Sequence, residues 1–66
     1  MPLMNRIEAY EEAGRKEALA RNVGDEATAK HWRQHYVAMR NLEYGSDKGF
    51  VTLAFNRGYK AARVLL

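Results

Sequence analysis

Hydrophobic residues recur at helical spacing along three stretches of this chain. In the first, residues 5–23, the positions Ile7, Tyr10, Gly14 and Ala18 share one face of a helical wheel with the preceding Leu3. Ala9, Ala13 and Ala20 form a second, small-residue face. That face either admits a close neighbour or reflects only the high helix propensity of Ala. Glu8, Glu11 and Glu12 lie in the first half and Arg21 near the end, the order that suits the helix dipole. Asn5 is a candidate N-cap.

The second stretch, residues 25–43, carries the strongest stripe: Ala29, Trp32, Tyr36, Met39 and Leu42 at spacings of three and four. Large side chains aligned on one helix face bury much area, so they predict core or interface. Between the two stretches stands Asn22-Val23-Gly24-Asp25. Gly24 is placed to close the first helix in the left-handed conformation, and Asp25 to cap the amides that open the second. So short a joint turns the second helix back along the first, an antiparallel hairpin.

Tyr44-Gly45-Ser46-Asp47-Lys48-Gly49 is rich in turn formers, with Gly45 placed to end the second helix and Ser46 or Asp47 to cap a third. In residues 47–64 the apolar positions Phe50, Val51, Ala54, Phe55, Gly58, Ala61, Ala62, Leu65 and Leu66 cover nearly half of the wheel, and Leu53 and Val64 widen the arc. A helix at the edge of a monomer needs a stripe of only about 100°. The excess predicts a second subunit, with Ala54, Gly58 and Ala61 or Ala62 allowing close approach. Phe50-Val51-Thr52-Leu53-Ala54-Phe55 is also β-prone, with Asn56-Arg57-Gly58 able to turn. Lys60-Ala61-Ala62-Arg63 is poor strand material, and an isolated hairpin against two helices would be marginal, so helix is favoured. The expected fold is all-α: an antiparallel helical hairpin plus a third, C-terminal helix. It forms one domain over residues 1–66, completed by homodimerisation through Trp32, Tyr36, Met39, Phe50, Phe55 and Leu66.

Composition supports the dimer. A chain of 66 residues buries only about 60 % of its unfolded surface, and this one has no Cys for disulfides or thiolate metal sites. The net charge of +3 is mildly basic and permits contact with nucleic acid without requiring it. No apolar run approaches the roughly 18 residues of a membrane span, and the first residues lack an apolar signal-peptide core. The expected location is the cytoplasm, with no membrane partner.

Little in the chain carries chemistry. His31 and His35 stand one turn apart, a spacing that places two imidazoles on one metal, but Trp32 occupies the position where a zinc protease needs Glu. An antiparallel hairpin offers at most Glu17 opposite His31, so no metal and no cofactor is expected. There is no nucleophile elbow and no phosphate-cradling Gly loop, and no enzymatic activity is expected. The basic residues are more informative. Lys30, Arg33 and Arg40 share one flank of the second stretch; Lys60 and Arg63 face away from the apolar arc of the third, with Arg57 at its border. Two such stripes can track phosphates, or simply keep a small protein soluble. A helix–turn–helix built from stretches two and three fits poorly. The break between them is long, and the would-be recognition helix is apolar over too much of its surface.

Ala13-Gly14-Arg15-Lys16-Glu17-Ala18, the run Gly24-Asp25-Glu26-Ala27-Thr28-Ala29-Lys30-His31-Trp32, and Ala54-Phe55-Asn56-Arg57-Gly58-Tyr59-Lys60-Ala61-Ala62 together resemble the small helical accessory proteins of lambdoid phage early regions. The resemblance implies an accessory or regulatory role inside an infected bacterium and carries over no functional residue. The function expected is therefore a non-catalytic interaction or regulatory protein, with itself and a host or phage protein as partners. The alternative is a nucleic-acid-binding module using Lys30, Arg33, Arg40, Arg57, Lys60 and Arg63.

Overall fold

The computed structural model describes residues 5–63 and folds them into three helices, α1 (Arg6–Asn22), α2 (Glu26–Arg40) and α3 (Asp47–Ala62). The β-prone stretch at the start of α3 is helical, and no strand occurs among the described residues. Leu3, Val64, Leu65 and Leu66, assigned above to apolar faces or to the interface, lie outside the described residues.

The caps explain the boundaries. The Asn5 side chain accepts from the Glu8 amide at 2.8 Å and donates to the Glu8 carboxylate at 2.9 Å, closing the first turn of α1. At the joint, Gly24 has φ 76°, the left-handed value expected of it. The Gly24 amide donates to the Arg21 carbonyl at 3.1 Å and the Asp25 amide to the Ala20 carbonyl at 2.9 Å, the paired bonds of a Schellman closure. Asp25 then starts α2 by accepting from the Thr28 amide at 3.1 Å. Hydrogen bonding from Thr28, first from its side chain and then from this amide, holds the Asp25 carboxyl below its usual pKa.

The second joint departs from expectation. α2 stops at Arg40, short of residue 43, so Leu42 leaves the stripe and stands in solvent. Glu43 turns inward instead. Gly45 takes φ 57°, and Ser46, a proposed cap, precedes α3 without a side-chain capping bond.

α1 is the central helix and packs against both of the others. Its two sequence faces serve two neighbours, so the small-residue face is a packing surface. Buried Ala13 and Ala20 share a side with Lys16, whose ammonium lies 4.8 Å over the Trp32 ring of α2. Gly14 meets α3: a Cβ there would overlap the Phe55 carbonyl oxygen and sit 2.9 Å from the Tyr59 nitrogen. Gly58 returns the contact, since its Cβ would lie 2.8 Å from the Glu11 carbonyl carbon. Two helices cross here backbone to backbone.

That crossing changes the reading of the third helix. Two of the small residues assigned to a second subunit, Gly58 and buried Ala54, are used inside the monomer, whereas Ala61 is exposed. α2 and α3 meet mainly through side chains. Tyr36 stacks on Phe55 with centroids 3.9 Å apart, and Tyr10 of α1 meets Tyr36 edge-on at 6.0 Å. Tyr10, Ala13, Tyr36, Val51, Ala54 and Phe55 form the core, with Trp32, Met39 and Tyr59 packed against it. Phe50, assigned above to a dimer interface, lies outside this core.

Candidate interaction site

The wedge between the helices buries polar groups in matched sets. The Glu17 carboxylate, fully buried on α1, receives Arg21 Nε at 2.9 Å and Arg33 Nη2 of α2 at 3.2 Å, both on Oε2. Arg33 Nε is 3.0 Å from Oε1 but is not aligned to donate, so that oxygen accepts no hydrogen bond. The bond to Glu17 raises the Arg21 pKa above its ordinary value. At the other end, the Tyr10 hydroxyl donates to Glu43 at 3.0 Å, and Arg6 Nη1 lies 3.5 Å from the same carboxylate. Burial, reinforced by Glu43, pushes the Tyr10 phenol up to about 12. These sets tie helices together.

Accessible surface of a different kind lies on α3 and the loop before it. Leu42, Tyr44, Phe50 and Leu53 are 78 %, 85 %, 62 % and 63 % exposed, four large apolar side chains within twelve residues of chain. Phe50 and Leu53 line a groove of about 470 Å³ together with Arg40, Ser46, Gly49 and Thr52. On the other side of Leu53 a second groove of about 440 Å³ is lined by Asn56, Arg57 and Lys60. Among the described residues no carboxylate lines either groove.

The residues singled out from the sequence separate into distinct roles. Of the six interface residues, Tyr36 and Phe55 are consumed by the monomer core, and Trp32 and Met39 are half-buried against it. Phe50 alone of the described five is well exposed, and Leu66 lies outside the described residues. Leu53, noted only as widening an arc, is the position that sequence reasoning undervalued. Its signal was present: it lies off the face that carries Gly58 and Phe55, so no intramolecular neighbour covers it.

Most of the basic residues are engaged. Arg33 holds Glu17 and lies 5.0 Å over the Phe55 ring; Arg57 Nε contacts Glu11 at 2.6 Å. Arg63 Nη1 contacts Asn22 at 2.7 Å, and Arg40 Nε donates to Thr52 Oγ1 at 2.9 Å. Lys30 and Lys60 are exposed and make no ion pair among the described residues. Among the described residues, carboxylates hold Arg33 and Arg57, while Arg40 and Arg63 contact neutral partners. His31 and His35 sit edge-on to Trp32 at 5.3 and 5.5 Å, and both are exposed. Glu17 reaches Arg33, not His31. No group of three or more His, Cys, Asp or Glu side chains positioned to hold a metal occurs among the described residues. No described helix is long and apolar enough to cross a membrane.

No known protein family matches this chain, and no curated protein or solved structure matches it either.

Proposed function

We propose that this chain is a small non-catalytic interaction protein that docks a partner on the outer face of α3 and the loop before it. The observation that carries this reading is the exposure of Phe50 and Leu53 on one groove, with Leu42 and Tyr44 exposed in the segment that leads into α3. Single exposed apolar residues are ordinary. A contiguous apolar patch rimmed by polar groups marks an interaction site. The likeness in style to phage accessory proteins motivates the regulatory part of the reading and the expectation of a bacterial setting.

A double variant, Phe50→Ser with Leu53→Ser, tests it. Neither side chain contributes to the core, so the variant keeps its circular dichroism spectrum and melts no lower than wild type. Captures from bacterial lysate on wild type and variant are then compared. A protein retained by wild type and lost by the variant supports docking on this face. Identical captures, with both forms monomeric by sedimentation, refute it. Homodimerisation is one form of the same proposal, and sedimentation over a concentration series reads it directly. Nucleic acid is the alternative occupant, through the cations that flank the patch. It predicts a gel shift of duplex DNA that weakens steeply with salt.

A further inference from the structure

The charge lining the two grooves is one-sided, the nearby Asp47 being met by Arg6 at 4.0 Å, and that selects among occupants. Arg40 stands at one end of the Phe50–Leu53 groove, and Arg57 and Lys60 line the groove on the other side of Leu53. The guanidinium of Arg40 is held but not neutralised. Its Nε donates to Thr52 Oγ1, a neutral partner. Thr52 is itself fixed, donating to the Lys48 carbonyl at 2.8 Å and accepting from the Tyr36 hydroxyl at 3.1 Å. Arg40 forms no ion pair among the described residues, so its terminal nitrogens are left for an incoming carboxylate. A cation ordered before binding loses less entropy when it binds. At the far end Arg57 is already on Glu11, and Lys60 supplies the unpaired charge.

We infer that the outer face of α3 receives an acidic amphipathic helix from another protein, its apolar side chains against Phe50 and Leu53 and its carboxylates against Arg40 and Lys60. The inference rests on the docking reading above and adds the chemistry of the partner. Thr52, where Arg40 is anchored, and Lys60 are about 12 Å apart along the axis of α3, which is about two turns. A partner helix matches that span with carboxylates about seven or eight residues apart and apolar residues between them on the same face.

The other occupants fit less well. A second copy on a two-fold axis would use the same patch on both sides. That arrangement adds a second Arg40, Arg57 and Lys60 to the same interface with no carboxylate from either groove. On a second copy, Glu11 and Glu12 are already met by Arg57, Arg15 and Lys16, which leaves Glu8 as the exposed carboxylate of the groove they line without an ion pair among the described residues. Phosphates would use the cations but leave Phe50 and Leu53 unaccounted for.

The test uses two fluorescently labelled helical peptides and a labelled single-stranded oligonucleotide, with binding read by anisotropy. One peptide carries a two-turn Leu face ended by Glu; the other has Gln in place of each Glu. The protein is the full chain as wild type, Lys60→Glu and Leu53→Ser, both positions being exposed. The Glu peptide is expected to bind wild type about four- to twenty-five-fold more tightly than the Gln peptide, from two exposed charge pairs at about two- to fivefold each. Lys60→Glu weakens only the Glu peptide, and Leu53→Ser weakens both peptides by about tenfold or more. Equal binding of the two peptides overturns the acidic partner while the docking reading stands. A dimer abolished by Leu53→Ser, with neither peptide bound, makes the second copy the occupant and overturns the inference. Oligonucleotide binding that is lost in Lys60→Glu and untouched by Leu53→Ser overturns it in favour of nucleic acid. A monomer that binds none of the three probes overturns both the inference and the docking reading.

Discussion

Replacing Gly58 with Ala adds one methyl group at the crossing of α1 and α3. In an ordinary helix interior the change stabilises by up to about 1 kcal/mol, because Ala loses less backbone freedom on folding. Here the new Cβ would lie 2.8 Å from the Glu11 carbonyl carbon and 3.0 Å from its Cα, and would overlap the carbonyl oxygen. Extra methyl groups in a packed interior cost about 1–3 kcal/mol when side chains can give way. Glu11 offers backbone, which cannot rotate aside, so the gross cost belongs at about 3 kcal/mol or above, since α1 and α3 must separate. Subtracting the propensity gain leaves a net loss of about 2 kcal/mol or more. For a domain of this size that lowers the melting temperature by about 8–16 °C. Gly49→Ala is the internal control. Gly49 lies in the first turn of the same helix, and a Cβ there meets nothing within 4 Å. It should hold or raise the melting temperature. Thermal melts by circular dichroism, run at several protein concentrations, compare the two. If Gly58→Ala melts as high as Gly49→Ala, the backbone crossing is absent and the packing of α1 on α3 must be redrawn.

Four further outcomes follow from the caps and the buried polar groups. The Tyr10 phenol titrates near 12 in the folded chain against 10.0 unfolded. Folding therefore favours the protonated form, and the contribution is whole below pH 10 and lost as pH rises towards 12. Alkaline unfolding should cost about 2–3 kcal/mol across that window, and Tyr10→Phe should flatten the limb. Asp25 has a lowered pKa, so its contribution is present above its ordinary value and lost as pH falls through the folded one. Asp25→Ala should lower the melting temperature at neutral pH and make the acid limb shallower. At its neighbour, Gly24→Val, which forces a β-branched residue to a φ of 76°, should destabilise by about 1 kcal/mol or more. If neither change alters the melt, one continuous helix is the better description. Glu17→Gln removes the charge shared by Arg21 and Arg33. Both arginines reach solvent, so the loss should be about 1–3 kcal/mol in urea titrations, below that of a fully enclosed pair.

What the sequence determined by itself was local. The helical period, the Asn5 cap and the Gly24–Asp25 joint depend on contacts within a few residues, so they are legible from order alone. The same holds for the all-α class and the antiparallel first pair. What it left open was which face meets which neighbour. Phe50 and Phe55 lie on one broad apolar arc, yet Phe55 stacks on Tyr36 while Phe50 faces solvent, because Gly14 and Gly58 fix how α3 sits on α1. The fates of Glu17 and Glu43 were equally hidden. As sequence, each is a charge on a solvated flank; each is buried because Arg33 and Tyr10 arrive from distant parts of the chain. The surface that carries the functional proposal is the remainder of that packing. Leu53 is exposed because both neighbours of α3 lie on its other sides, and only the assembled tertiary structure decides which sides those are.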